Sequence, residues 1–168
     1  MSDSVLKGKA IKLGDNISTD DIIPGRFAHL RSNLPELAKH VLEDTVPGFY
    51  LRVEPGDFLV AGQNIGLGSS REHAPLVIKM SGVGAILAKS VARIFFRNAV
   101  NQGLPILLCD TDKIGDGDEL EISLTGGTIV NLTSGATLNS GKMPPIMSAI
   151  LKEGGLIQYI QKHKNFNL

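Results

Sequence analysis

The chain has 168 residues, of which 42% are apolar and 20% charged; it can bury a core and is too apolar to stay disordered over most of its length. Lys plus Arg and Asp plus Glu each total 17, and the resulting zero net charge argues against a nucleic-acid binder, which needs a basic excess to displace counterions. One cysteine, Cys109, leaves no internal disulfide, no apolar run approaches a membrane span, and the opening MSDSVLKGKAIKL lacks the apolar core of a signal peptide, so a soluble cytoplasmic protein is expected.

Residues 5–13 alternate loosely and predict a first strand. Residues 15–21 (DNISTDD) are turn chemistry, and residues 26–33 (RFAHLRSN) have no clean period and read as a mobile loop. A short helix is expected over 35–43, with Pro35 in its first turn and Asn33 near its cap, followed by an irregular stretch over 44–54. Residues 57–61 read as a buried strand after the Pro55-Gly56 turn. A helix then carries Ala74, Val77, Ile78 and Met80 on its apolar positions, capped by Ser69 or Ser70 and ended by Gly82. A strand over 83–88 and a helix capped by Ser90 follow, with Val91, Ile94, Phe95, Ala99 and Val100 inward and Gly103 as the stop. Residues 104–109 form the next buried strand, in which Cys109 is a small core residue. Residues 119–124 and 128–132, separated by Gly126-Gly127, predict a hairpin. A short strand over 137–139, a helix from Pro144-Pro145 through Lys152 and a terminal helix over 156–164 complete the chain. Strand–helix alternation followed by a hairpin predicts one compact α/β domain over residues 1–168, with its core at about 5–160.

The stretch 61–75, AGQNIGLGSSREHAP, concentrates Gly62, Gly66, Gly68, Ser69, Ser70, Arg71, Glu72 and His73 between a strand pattern and a helix pattern. Glycines let backbone come close to a ligand, a helix start favours an anion, and an arginine forks two hydrogen bonds to a carboxylate. Other readings fit poorly. No Gly-Lys follows for a phosphate loop, Lys89-Ser90 stands where a dinucleotide fold places an acid, and the serines do not sit in Gly-x-Ser-x-Gly. On spacing alone, a capped helix with a glycine turn and a surface arginine explains the stretch equally well.

GQNIGLGSSREHAP followed by AKSVARIFFRNAVNQGLPIL resembles the small subunits of 3-isopropylmalate dehydratase and of homoaconitase, within the aconitase superfamily; STDDIIPGR is similar to an early loop of the same family. The resemblance runs from about residue 10 to residue 108. It implies a three-layer β/β/α swivelling domain, like the C-terminal domain of aconitases. It also implies a hydro-lyase active only with a large subunit that carries a 4Fe–4S cluster on three cysteines, in a heterodimer or heterotetramer. The reaction implied is dehydration and rehydration of a hydroxy acid, here interconverting 2- and 3-isopropylmalate in leucine biosynthesis. No metal ligand is expected in this chain, and no nucleic-acid or membrane partner.

By motif position Ser69 resembles the general base, with Ser70 and Arg71 as substrate-carboxylate binders. A serine needs its alkoxide stabilised to serve, which a helix N-terminus and Arg71 would do. Asp20 resembles a supporting residue of the family site; by its own sequence context it reads equally as an Asx turn. Glu72 and His73 are read as hydrogen-bonding supports behind the substrate contacts. His29, His40 and His163 lack ligand spacing and read as surface residues. Arg93 and Arg97 lie four apart on one helix face; salt bridging or backbone capping is the favoured reading, with the site or a partner as the alternative.

Substrate choice is expected in the loop 26–33. Homoaconitase-like relatives offer the arginine of a Tyr-Leu-Arg-Thr segment there to an extra carboxylate, while isopropylmalate enzymes place an apolar residue. This chain reads His29-Leu30-Arg31-Ser32, so Arg31 resembles the carboxylate reader and Arg26 is its rival. An unpaired arginine facing an isopropyl group would lose hydration without return, unless it points to solvent. The breadth of the resemblance favours isopropylmalate. Homoaconitase, a dimethylmalate-type dehydratase and a non-catalytic interaction module are the alternatives.

Overall fold

The computed structural model describes residues 4–69 and 71–164. The chain begins with β1 (Val5–Lys12), then α1 (Thr19–Ile22), a 3-10 helix (Gly25–Ser32), α2 (Leu34–Ala38) and α3 (Phe49–Arg52). The middle alternates as β2 (Phe58–Val60), α4 (His73–Met80), β3 (Ala85–Ala88), α5 (Arg93–Asn101) and β4 (Ile106–Leu108). A short 3-10 turn (Thr111–Lys113) leads to the meander β5 (Glu119–Ser123), β6 (Thr128–Asn131) and β7 (Thr137–Asn139), and α6 (Pro145–Lys152) and α7 (Leu156–His163) follow.

The seven strands form one curled sheet in the order β4-β3-β2-β1-β5-β6-β7. β1 is its pivot. Its C-terminal end pairs parallel with β2, aligning Ala10 with Phe58, while its N-terminal end pairs antiparallel with β5, aligning Val5 with Ser123. The parallel half reads as continuous apolar runs, FLV and AILA, because both its faces are covered. The antiparallel half alternates, as in β6 with Ile129 buried and Val130 half-exposed, because only one face meets the core.

Two buried clusters separate three layers. Phe58, Val60, Ala85, Leu87 and Leu107 on one face of the parallel half pack against Leu120, Ile122, Ile129 and Leu138 of the antiparallel half. The opposite face, with Ile11, Leu59, Ile86 and Ile106, packs against Leu37, Val77, Ile78, Phe95 and Ala99 of the helices. This is the expected β/β/α arrangement. α6 and α7 close a smaller cluster on α5 through Val100, Ile150 and Tyr159. Lys79 fastens that corner, its Nζ donating to the Gln102 and Gly154 carbonyls at 2.9 and 3.2 Å.

Several local expectations differ from what the chain does. Residues 26–33 are not irregular: Gly25–Ser32 is a 3-10 helix. It is held by Arg26, whose guanidinium pairs with Asp44 at 2.6 Å and lies over Phe27, and by Phe27 stacked on His40 at 4.1 Å. The helix expected over 35–43 stops at Ala38; Leu42 takes a positive φ of 56° and donates its N–H to the Ile22 carbonyl, a tertiary bond that overrides helical period. The irregular stretch 44–54 contains α3. Ser69 does not cap α4: Glu72 holds the cap position without a side-chain bond. Ser90 does not cap α5 either; its Oγ accepts the Asn64 N–H at 2.8 Å, and Ala92 stands at the cap. Ile94 is 51% exposed rather than inward. Cys109 is half-buried beside the edge strand β4, and burial with neighbouring Asp110 pushes its thiol up to about 11.

Candidate active site

The site begins with a capping box. Ser18 Oγ accepts the Asp21 N–H at 3.0 Å and Asp21 Oδ2 accepts the Ser18 N–H at 2.8 Å, which starts α1 at Thr19. The glycine loop is laid between this turn and the lead-in to α5. Gly66 N–H donates to Ile17 O at 2.7 Å and Thr19 N–H to Leu67 O at 2.9 Å. On the other side Ala92 N–H donates to Ile65 O at 2.9 Å. Residues 65–67 thus bridge two segments far apart in sequence, bringing α1 and α5 together.

Two glycines make this possible. Gly66 has φ 83°, and a Cβ there would stand 2.1 Å from Phe95 Cγ; Gly68 has φ 104°, and a Cβ there would stand 3.2 Å from Thr19 Oγ1. The result is an open cleft of about 220 Å³. The loop lines it with Gly66, Gly68, Ser69 and Arg71, α1 with Thr19, and the start of α5 with Arg93, Ile94, Phe95 and Asn98. Roughly 300 Å³ is the lower end for a small-molecule pocket, so the volume suits part of a site.

Ser69 is exposed at the cleft. Arg71 is held at two points: Nη2 lies 2.7 Å from Asp20 Oδ1, and Nη1 donates to the Ile23 carbonyl at 3.1 Å. The structure therefore brings Ser69, Arg71 and Asp20 together. Ser70 lies outside the described residues. Glu72 is exposed and His73 half-buried at the start of α4; neither lines the cleft, and neither side chain makes a hydrogen bond among the described residues, so the supporting side-chain bonds expected of them are not made here. Arg31 is exposed in the 3-10 helix without an ion pair among the described residues. Arg26 is engaged by Asp44, and their hydrogen bond raises the pKa of Arg26 and lowers that of Asp44.

The favoured reading of Arg93 and Arg97 is not what the chain does. Both are exposed, neither forms an ion pair or capping bond among the described residues, and Arg93 lines the cleft. His40 is no plain surface residue, since it stacks on Phe27 and hydrogen-bonds Glu43 at 2.9 Å. His163 lies 3.3 Å from Glu153. The sequence reading missed Thr19 and Asn98, which reach the cleft only through the long-range pairing of the glycine loop. Among the described residues no three His, Cys, Asp or Glu form a set that could hold a metal ion, so these side chains do not fit an iron–sulfur cluster.

The aconitase C-terminal domain family matches residues 43–110. A 3-isopropylmalate dehydratase small subunit 2 of Archaeoglobus fulgidus is 57% identical, covering 96% of this chain and 98% of its own length. An isopropylmalate/citramalate isomerase small subunit of Methanocaldococcus jannaschii is 46% identical over 95% of both chains. The crystal structure of a 3-isopropylmalate dehydratase from the same organism superimposes with a TM-score of 0.90 at 43% identity, covering 96% of each chain. With this identity over nearly the whole length, and the aconitase-type loop placed on a shared fold, the chain belongs to the family of 3-isopropylmalate dehydratase small subunits.

Proposed function

We propose that this chain is the small subunit of a hydro-lyase that interconverts 2- and 3-isopropylmalate by dehydration and rehydration, in leucine biosynthesis. The observation that supports it most directly is the joint placement of Ser69 and Arg71 on one open cleft, within a family whose relatives carry that name. In this reading Ser69 Oγ takes the proton from the carbon next to a carboxylate, and Arg71 clamps that carboxylate. Ser70 contributes a second contact and Asp20 orients Arg71. The positive end of α5 and the Arg71 guanidinium favour the serine in its deprotonated form.

The cleft is open and small, which suits half of a shared site. We assign the other half, with the 4Fe–4S cluster, to a large partner subunit in a heterodimer or heterotetramer. Among the described residues no helix is long and apolar enough to cross a membrane, and we place the assembly in the cytoplasm, with residues 1–168 acting as one swivelling domain. Arg31, exposed and unpaired among the described residues, supports a second reading in which a third carboxylate is accepted, as in homoaconitase.

The test is reconstitution with the cluster-bearing subunit, assayed on 2-isopropylmalate, citramalate, dimethylmalate, citrate and homocitrate. Turnover greatest on isopropylmalate is expected. Preference for homocitrate would transfer the assignment to the second reading, and stable assembly without turnover of any of them would leave an interaction module.

A further inference from the structure

The first turn of α5 opens on the cleft. The N–H groups of Arg93, Ile94 and Phe95 have no acceptor among the described residues, and no side chain caps the helix. Nine residues of helix place a partial positive charge at that end. Helix starts in general have free N–H groups, so this alone marks no site.

Thr19 supplies the independent observation. It is 2% exposed and lines the same cleft, and its Oγ1 is the only buried side-chain nitrogen or oxygen without a hydrogen-bond partner among the described residues. Buried hydroxyls are ordinarily satisfied, because leaving one dry is costly. Its own backbone N–H is committed to Leu67, so only the hydroxyl is free. Gly68, which lines the same cleft, is its close neighbour: a Cβ there would crowd the hydroxyl at 3.2 Å. Arg71 does not make the missing bond: its contacts go to Asp20 and the Ile23 carbonyl.

We infer that Thr19 Oγ1 and the first-turn N–H groups of α5 form a carboxylate subsite, separate from the Arg71 clamp. The ligand class is a dicarboxylic acid: one carboxylate meets Arg71, and the other accepts hydrogen bonds from Thr19 and α5. The assignment of isopropylmalate as that acid rests on the function proposed above; the subsite itself does not.

The test has two arms. In the first, malonate is titrated into the full chain and backbone amides are followed by NMR. Saturable shifts at Arg93, Ile94 and Phe95 are expected, lost in Thr19→Val and restored in Thr19→Ser. Wild-type amides that do not respond, or a response unchanged in T19V, would overturn the subsite. In the second arm the reconstituted enzyme is assayed on 3-isopropylmalate. T19V is expected to raise KM about tenfold, more than it lowers kcat, with T19S restoring it. An unchanged KM overturns the role of Thr19. If the wild-type complex turns over no isopropylmalate, the functional reading fails and the malonate arm still decides the subsite. T19V should unfold no earlier than wild type, because it removes an unsatisfied hydroxyl; a clear loss of stability would show a structural partner and overturn the inference.

Discussion

Asp20 Oδ1 stands 2.7 Å from Arg71 Nη2, and the two sides of the pair differ: the Arg71 side chain is 23% exposed and that of Asp20 72%. An ion pair this open contributes about 0–1 kcal/mol, so an incoming carboxylate can displace Asp20. Arg71 stays anchored meanwhile, through its bond to the Ile23 carbonyl. Arg71→Lys loses the fork and is expected to lower kcat/KM by about 1.5–3 kcal/mol, roughly 10–100-fold, while Asp20→Asn costs less than about tenfold. Steady-state kinetics of the reconstituted enzyme rank the two; equal losses would mean that Asp20 touches substrate.

Among the described residues by which the loop lines the cleft, Ser69 alone has a side chain that could take a proton. Ser69→Ala is expected to lower kcat by roughly 10²–10⁴-fold with assembly intact, the range for loss of a general base. Size-exclusion chromatography establishes the assembly and turnover reads the loss; near-normal turnover would remove Ser69 from the role.

Arg31 is exposed and Arg26 is bound to Asp44, so of the two only Arg31 is free to reach a substrate arm among the described contacts. Arg31→Val is expected to reduce turnover of citrate or homocitrate much more than that of isopropylmalate. Equal loss on both would end its specificity role.

The meeting of the glycine loop with α5 depends on Gly66. Gly66→Ala places a Cβ 2.1 Å from Phe95 Cγ at φ 83°, and is expected to destabilise by about 1–3 kcal/mol and open the cleft. Gly25→Ala, where a Cβ meets nothing within 4 Å, is the control and should lie within about 0.5 kcal/mol of wild type. Denaturant midpoints measure both.

Burial and Asp110 lift the Cys109 thiol from 9.0 to about 11. The thiolate is the reactive form, so alkylation by iodoacetamide near pH 8 should run roughly a hundredfold slower than for a free cysteine. Mass spectrometry follows the rate, which should rise with pH until the thiol titrates. Asp110→Asn removes one cause of the shift and should speed the reaction.

Local signals in the chain were sufficient for much of this. Alternation and continuous apolar runs separated the hairpin strands from the covered ones, as Ile129 and Val130 contrast with Leu59 and Val60. The glycine, serine and arginine order of residues 66–71 marked a loop that could meet an anion, because turn chemistry is local, and the resemblance of its motif made it the site. What period could not show was decided by long-range contacts. Arg26 and Phe27 bind Asp44 and His40, turning an aperiodic segment into a 3-10 helix. Ser90 bonds Asn64 rather than its own helix.

By itself, then, the sequence determined the alternating elements, the late hairpin and the glycine loop, since hydrophobic period and glycine placement act over a few residues; the layer order and the family followed from the resemblance of its motifs. Only the tertiary structure decided that the helix start at the cleft belongs to α5 and that the Thr19 hydroxyl lines the same cleft without a partner among the described residues. Both follow from backbone pairing of residues 65–67 with segments 17–19 and 90–92, and hydrogen bonds across that distance leave no mark in local spacing.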